Sequence, residues 1–347
     1  MLWIDPYPTR LPAARDLRRL TTAALPPLPR PAGLDVLGVS SLPFEPLTAG
    51  RWLNATFLWP RVLSRLIDFS AGGDLAIGVG RPSDLALRSL VELTSSWSFY
   101  DAMDDFPEFY RGRAKHVQER LQAEIAGRVR VVFTSSSGLT AKFRARGFQP
   151  VQVANAFDMR ALPPVIRRPS RRVLGYMGCI GQWFDWALVT EAARAMPDVE
   201  IHLIGPCMAP APGPLPSNVR LSPACHQSEA IAAMSGFGAG LIPFALTPLT
   251  AGVDPIKYYA YRSLGLPVLS TAFGEMALRR GTPGTWIIDR AADVSRLVDE
   301  ALSEPPAEAA VAEFRREHDW VRRFDDAGVF DGLRDAARLA AASPCAP

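Results

Sequence analysis

Short apolar runs alternate with helix-like stretches from one end of the chain to the other, and few folds fit that rhythm. LWID (2–5), LDVLGVS (34–40), DLAIGVG (74–80), SSWSFYDA (95–102), VRVVFTS (129–135) and VQVANAF (151–157) read as strands. Helical segments fall between them, near 11–24, 53–68, 83–94, 107–126 and 137–146. This alternation predicts an α/β protein with a mostly parallel, doubly wound sheet. Residues 158–171, DMRALPPVIRRPSR, are proline- and arginine-rich without an apolar period, which predicts a linker. Alternation then restarts. RVLGYMG (172–178), EIHLIG (200–205), NVRLSP (218–223), GAGLIPF (238–244), PVLST (267–271) and TWIIDR (285–290) read as strands. Helices are expected near 183–196, 227–235, 255–264, 292–303 and 306–340. A chain of 347 residues is long for one core. Two domains are therefore expected, 1–160 and 170–318, with 319–347 folding back on the first. Two such domains leave a cleft, and ligands of doubly wound sheets gather at the carboxyl ends of strands.

The charge balance narrows the partners. A net charge of +3 gives no reason to expect nucleic acid. Residues 1–165 hold 20 Lys and Arg against 15 Asp and Glu, and the remainder 18 against 20. A mildly basic first half suits an anionic membrane surface or an acidic acceptor, and equally a solvated arginine-rich surface. Cys179, Cys207, Cys225 and Cys345 form no CxxC pair, so reduced thiols are expected rather than zinc or a disulfide framework. MLWIDPYPTR has no basic and apolar leader pattern, and no apolar run reaches the ~18 residues that span a bilayer. The expectation is a cytoplasmic chain, with peripheral contact at the inner face of the cell membrane.

Several stretches could carry chemistry. In GVDPIKYYAYRSLGLPVLS (252–270), Lys257 is the only lysine after Lys142. Asp254 reads as an N-cap and Pro255 as a first helical residue, which puts Lys257 in the first turn. A cation there opposes the helix dipole by roughly 0.3–1 kcal/mol if exposed, and a bound anion would reverse that sign. LGYMGCIGQWFDW (174–186) runs from a strand through Gly178 and Gly181 into a helix near Gln182. That is a turn through which backbone amides can approach a phosphate, or simply a tight turn. SFYDAMDDFPEF (98–109) clusters Asp101, Asp104 and Asp105 at a strand end, where carboxylates could orient sugar hydroxyls, act as a base or cap a helix. AIGVGRPSD (76–84) lacks the third glycine of a dinucleotide fingerprint, which argues against a nicotinamide cofactor and leaves Arg81 near the strand end. GRWLNATFLWPRVLSRLI (50–67) interleaves aromatics with Arg51, Arg61 and Arg65, as an interfacial membrane surface or a core-facing stripe. ACHQSEAIAAM (224–234) could frame a nucleotide base with His226.

Residues 172–271 resemble the donor-binding domain of GT-B-fold glycosyltransferases of the bacterial polysaccharide and cell-surface glycan group. The likeness rests on the glycine turn with Gly178, Gly181, Phe184 and Asp185. It rests also on Pro255, Lys257, Tyr261, Gly265, Pro267 and Val268. YDAMDDFPEF, TSSSGL (134–139) and HDWVRRF (318–324) resemble further segments of that group. The resemblance implies a GT-B architecture, two Rossmann-like domains with an interdomain cleft. It implies a glycosyltransferase that moves a sugar from a nucleotide-diphosphate donor to a hydroxyl of a glycan or lipid-linked acceptor. Retention of configuration, and no metal or other cofactor, are part of the same expectation. Gly178, Gly181, Lys257, Asp254 and His226 would hold the donor diphosphate and nucleotide. Asp101, Asp104 or Asp105 would orient or deprotonate the acceptor. One departure matters: the group's ribose-holding glutamate is replaced by Ala260, and an upstream acidic position falls on Gly252. Asp254 could substitute in part. A nucleotide-sugar epimerase, or a non-catalytic partner subunit of the same fold, are the alternatives.

Overall fold

The computed structural model describes residues 1–9, 30–43, 45, 47–71, 73–163, 172–329 and 331. The helix expected at 11–24, residues 164–171 of the expected linker and the far end of the helix expected at 306–340 lie outside the described residues. Two compact units emerge. Among the described residues, one holds those up to Val153 together with 324–329 and 331, the other Ala154–Arg323.

In the first unit, β1 (Leu2–Ile4) and β2 (Asp35–Leu37) form a two-stranded parallel sheet of their own. β3 (Ala76–Val79), β4 (Trp97–Ala102), β5 (Val131–Thr134) and β6 (Val151–Gln152) form a four-stranded parallel sheet in sequence order. The helices are α1 (Thr48–Leu53), α2 (Pro60–Ser70), α3 (Asp84–Glu92), α4 (Gly112–Ala126) and α5 (Ser137–Ala145). Where one helix was expected over 53–68, a π-helical turn, Asn54–Leu58, separates α1 from α2. Pro60 falls at the first position of α2, where its missing N–H costs no hydrogen bond. Ser83 and Ser136 cap α3 and α5, accepting from the Ala86 and Leu139 amides at 3.1 Å each. Val79, Tyr100 and Val132 of the sheet pack on Leu121 and Ile125 of α4 and Phe143 of α5.

In the second unit, six parallel strands stand in the order β12-β11-β10-β7-β8-β9. They are β7 (Val173–Met177), β8 (Glu200–Ile204), β9 (Val219–Ser222), β10 (Ala239–Ile242), β11 (Val268–Thr271) and β12 (Thr285–Ile288). Every residue of β10 and β11 is buried. A parallel strand covered on both faces is mostly apolar, which is why these runs stood out in the sequence. The helices are α6 (Trp186–Ala195), α7 (Gln227–Met234), α8 (Pro248–Ala251), α9 (Ile256–Ser263), α10 (Gly274–Leu278), α11 (Val294–Ser303) and α12 (Glu308–Glu317), and α13 (Trp320–Asp326) spans the boundary after Arg323. The single helix expected from 306 breaks between α12 and α13. There the Phe157 amide donates to the His318 carbonyl at 3.1 Å, and Phe157 bridges to Asp319. That strand-like contact takes backbone groups a continuous helix would use.

Candidate functional site

Strand order in the second unit reverses between β7 and β10: the chain runs outward through β8 and β9 on one side and through β11 and β12 on the other. The crevice beyond the carboxyl ends of two such strands is where an open parallel sheet takes its ligand. Gly178 directly follows β7, and Lys257 lies in the first turn of α9, the eight-residue helix that precedes β11. Gly178 has φ of 136°, a left-handed value that strains any L side chain. A Cβ built there would lie 2.8 Å from Lys257 Cε and 2.9 Å from its Nζ. The ammonium therefore lies against the glycine turn, and the absent side chain is what makes room for it.

Two aromatic rings wall the lysine. Its Nζ is 5.1 Å from the Tyr176 centroid and 5.4 Å from that of Phe244, where the negative ring faces attract a cation. The Tyr176 hydroxyl donates to the Cys179 carbonyl at 2.7 Å, bracing the turn. The Met177 amide donates to the Tyr261 hydroxyl at 2.8 Å, tying the end of β7 to α9. Sequence reasoning passed over Tyr176 and Phe244, because an aromatic at the edge of an apolar run reads as core.

The two helix ends differ from expectation. Pro255, not Asp254, holds the N-cap position of α9, and no side chain caps that end. The Asp254 carboxylate is turned inward with no exposed surface. It accepts from Arg279 Nη2 at 2.7 Å, the Tyr259 hydroxyl at 2.7 Å and the Asn155 amide at 2.9 Å. Burial pushes its pKa up from the usual carboxylate range, and Arg279 pulls the other way. So committed, Asp254 is a brace beneath α9 rather than a group for a ribose. At the other end, α6 begins at Trp186 rather than near Gln182. The Asp185 carboxylate caps it, accepting from the Leu188 amide at 2.9 Å, and so already satisfies its dipole. Nor is the Gly178 amide available to a phosphate, for it donates to the Ile204 carbonyl at 2.8 Å. Gly181 lies against the Trp183 indole, where a Cβ would come within 2.5 Å of the ring. The turn supplies space for Lys257 more than donors.

His226 is half-exposed at the start of α7, its backbone amide donating to the Glu229 carboxylate at 3.0 Å. It comes after β9, two strands from β7. In the first unit, Asp101 is half-buried on β4, and burial raises its pKa. Asp104 lies just past the end of that strand. Asp105 differs from expectation: it is buried and held by Lys142, whose Nζ is 2.6 and 2.7 Å from the two carboxylate oxygens. A carboxylate so engaged is not free to deprotonate an acceptor. Its side chain does not cap the short 3₁₀ turn Phe106–Phe109 either.

This lysine lines neither of two hollows, though Phe244, which flanks it, lines the second. One of about 550 Å³, bordered by Asp74, Leu75, Ser95 and Ser96, opens at the amino ends of β3 and β4, the wrong end for a strand-end ligand. One of about 290 Å³ lies at the carboxyl ends of β10, β11 and β12. Asp185, Glu191 and Asp289 line it, and three carboxylates repel a diphosphate.

No protein-family model and no curated protein sequence matches the chain. Solved structures do. A sucrose-phosphate synthase from Thermosynechococcus elongatus superposes with a TM-score of 0.66 at 12% identity, over 91% of this chain and 86% of that one. HepE from Anabaena, solved in complex with UDP and glucose, gives 0.63 at 13% identity, over 96% and 98%. A glycosyltransferase from Rickettsia africae gives 0.58 at 10% identity, over 89% and 86%. The chain has the GT-B fold. At these identities the likeness carries the architecture alone. What this GT-B chain does must come from its own residues, and those at the switch point of its second unit are a walled cation and a helix end without a side-chain cap.

Proposed function

We propose that this GT-B chain is a glycosyltransferase whose second unit holds the diphosphate of a nucleotide-sugar donor at Lys257. The observation that carries the reading is the ammonium packed against Gly178 at the carboxyl ends of β7 and β10. Lys257 opposes the dipole of α9 on its own. With an anion beside it, lysine and helix end act together. As the bond from sugar to diphosphate breaks, negative charge grows on the leaving oxygen. A cation fixed there stabilises the transition state more than the ground state. Transfer with retention and without a metal ion belongs to the same reading, because a leaving diphosphate neutralised by protein groups needs neither a strong base nor a cation from solution. The acceptor would be a hydroxyl of a glycan or lipid-linked glycan in surface polysaccharide synthesis, met at the inner face of a membrane. Asp101, whose pKa burial raises, is the side chain of the first unit offered to it, with Asp104 near it in sequence.

The test is calorimetry with a panel of nucleoside diphosphates. Lys257→Ala is expected to weaken the tightest of them roughly thirtyfold, about 2 kcal/mol, the scale of a hydrogen bond to a charged group. The fold should be retained. Equal affinity in wild type and variant overturns the reading.

One observation favours a second reading. Ala260 is buried where the resembling group carries its ribose-binding glutamate, and Asp254 is committed to Arg279 rather than free to replace it. A chain that keeps the diphosphate site and lacks the ribose contact could serve as a non-catalytic partner. Acceptor-dependent release of nucleotide from a donor sugar excludes that role. Acceptor-independent isomerisation of the sugar would indicate an epimerase instead.

A further inference from the structure

The stretch 47–70 divides into two sides. Trp59, Val62, Leu63 and Leu66 are buried with Tyr7 and Leu85, as a core-facing stripe should be. Trp52 and Phe57 are not: they stand 60% and 66% exposed, ring edge against ring face with centroids 5.8 Å apart. The π-helical turn explains the pairing. A wider turn brings residues five apart into line, where an α-helix would align those three or four apart.

The base beneath the pair is fixed. Asn54, with no exposed surface, accepts from the Leu42 amide at 2.7 Å and donates to the Leu42 carbonyl at 2.9 Å. Trp59 is likewise wholly buried. The two rings are therefore displayed from an anchored turn and do not fold down onto the surface. Exposing them is unfavourable unless something covers them, and exposed aromatic pairs mark contact surfaces.

The charges nearby identify the cover. Arg61 and Arg65 are exposed on α2, four and eight residues on from Phe57, on the side away from Val62, Leu63 and Leu66. Asp68 is the acidic residue of that helix, and Arg51 is engaged by Asp84 at 2.8 Å. Rings that bury apolar edges, flanked by long cationic side chains with apolar stems, suit the boundary between headgroups and acyl chains. Anionic headgroups complement the arginines. Among the described residues no helix is long and apolar enough to cross a membrane, so contact by these helices would be from the side.

We propose that Trp52, Phe57, Arg61 and Arg65 form a docking surface for an anionic lipid bilayer. It would supply the membrane contact of the proposed glycosyltransferase, and so rests on that reading for its purpose, but its geometry is independent of the donor site in the second unit.

The test is flotation of the full chain with phosphatidylcholine vesicles, alone or with about 30% phosphatidylglycerol. Wild type is expected to float with the anionic vesicles, more weakly as salt rises. Trp52→Ser with Phe57→Ser is expected to lose at least about tenfold in partitioning at every salt concentration. Arg61→Glu with Arg65→Glu should lose the preference for phosphatidylglycerol. All four side chains are exposed, so folding should survive, and nucleoside diphosphate affinity should be unchanged in both variants. Wild type that ignores both vesicle types, or variants that float as well as wild type, overturns the proposal. So does retention of wild type by a protein partner without any binding to lipid. Failure here leaves the Lys257 titration untouched, and failure of that titration leaves the flotation result standing.

Discussion

Replacing Asp254 with alanine is expected to lower the unfolding free energy by about 3–5 kcal/mol, because it leaves the Arg279 guanidinium buried without its counter-charge. The Arg279 side chain is 15% exposed and the Asp254 carboxylate not at all, so water cannot replace the lost partner. The Tyr259 hydroxyl and the Asn155 amide lose an acceptor as well. Urea unfolding monitored by tryptophan fluorescence gives the number. The double variant Asp254→Leu with Arg279→Met should recover much of the loss, since an apolar pair of similar volume carries no desolvated charge. A loss below about 1 kcal/mol for Asp254→Ala, the scale of an exposed ion pair, would mean this carboxylate braces nothing. The consequence reaches function. Asp254 is held by Asn155 on its carbonyl oxygen as well as on its carboxylate, and α9 starts two residues later. Loosening it frees the helix that carries Lys257, so nucleoside diphosphate affinity should fall even where the variant remains folded.

Asp254 also shows where the sequence stops being readable. Asp-Pro before a helical run is a sound local signal for a cap, and locally nothing contradicts it. What decides is Arg279, 25 residues on, and Asn155, 99 residues back, which local patterns cannot see. Asp105 was misread for the same reason: Lys142, 37 residues on, takes its carboxylate. The strands were legible because buried parallel strands are mostly apolar, and the strands of the described residues fall inside the expected runs. The place of Lys257 in the first turn of α9 was legible because Asp-Pro announces a helix start just before it. The aromatic walls were not, since Tyr176 and Phe244 look like core until a cation is found against both rings. The π turn was invisible too, because Pro60 hinted at an interruption without fixing the register that pairs Trp52 with Phe57.

The first unit should lose stability as pH rises from about 4.5 to about 7, and one carboxyl should account for it. Glu45 is 1% exposed, and its pKa is pushed up to about 7 from 4.5, chiefly by burial. The Tyr7 hydroxyl donates to its Oε1 at 2.5 Å and opposes the rise, while the neighbouring Asp84 adds to it and Arg81 offsets part of that. Between the two values the folded chain holds a proton that the unfolded chain has released. The stabilisation is thus fully present below the unfolded pKa and is lost as pH climbs through the folded one. A shift of that size corresponds to about 3 kcal/mol across the window, to order of magnitude. Burial raises the pKa of Asp84 as well, in the same sense, with Arg51 holding it back. Glu45→Gln cannot ionise. It should flatten the fall in stability between about pH 4.5 and about pH 7 and be the more stable form at the alkaline end. No motif announced this group: Tyr7 and Asp84 lie 38 and 39 residues from Glu45, and only the fold brings the three together. If Glu45→Gln unfolds in urea with the same pH slope as wild type, the proton sits elsewhere and Glu45 is ionised in the folded chain throughout.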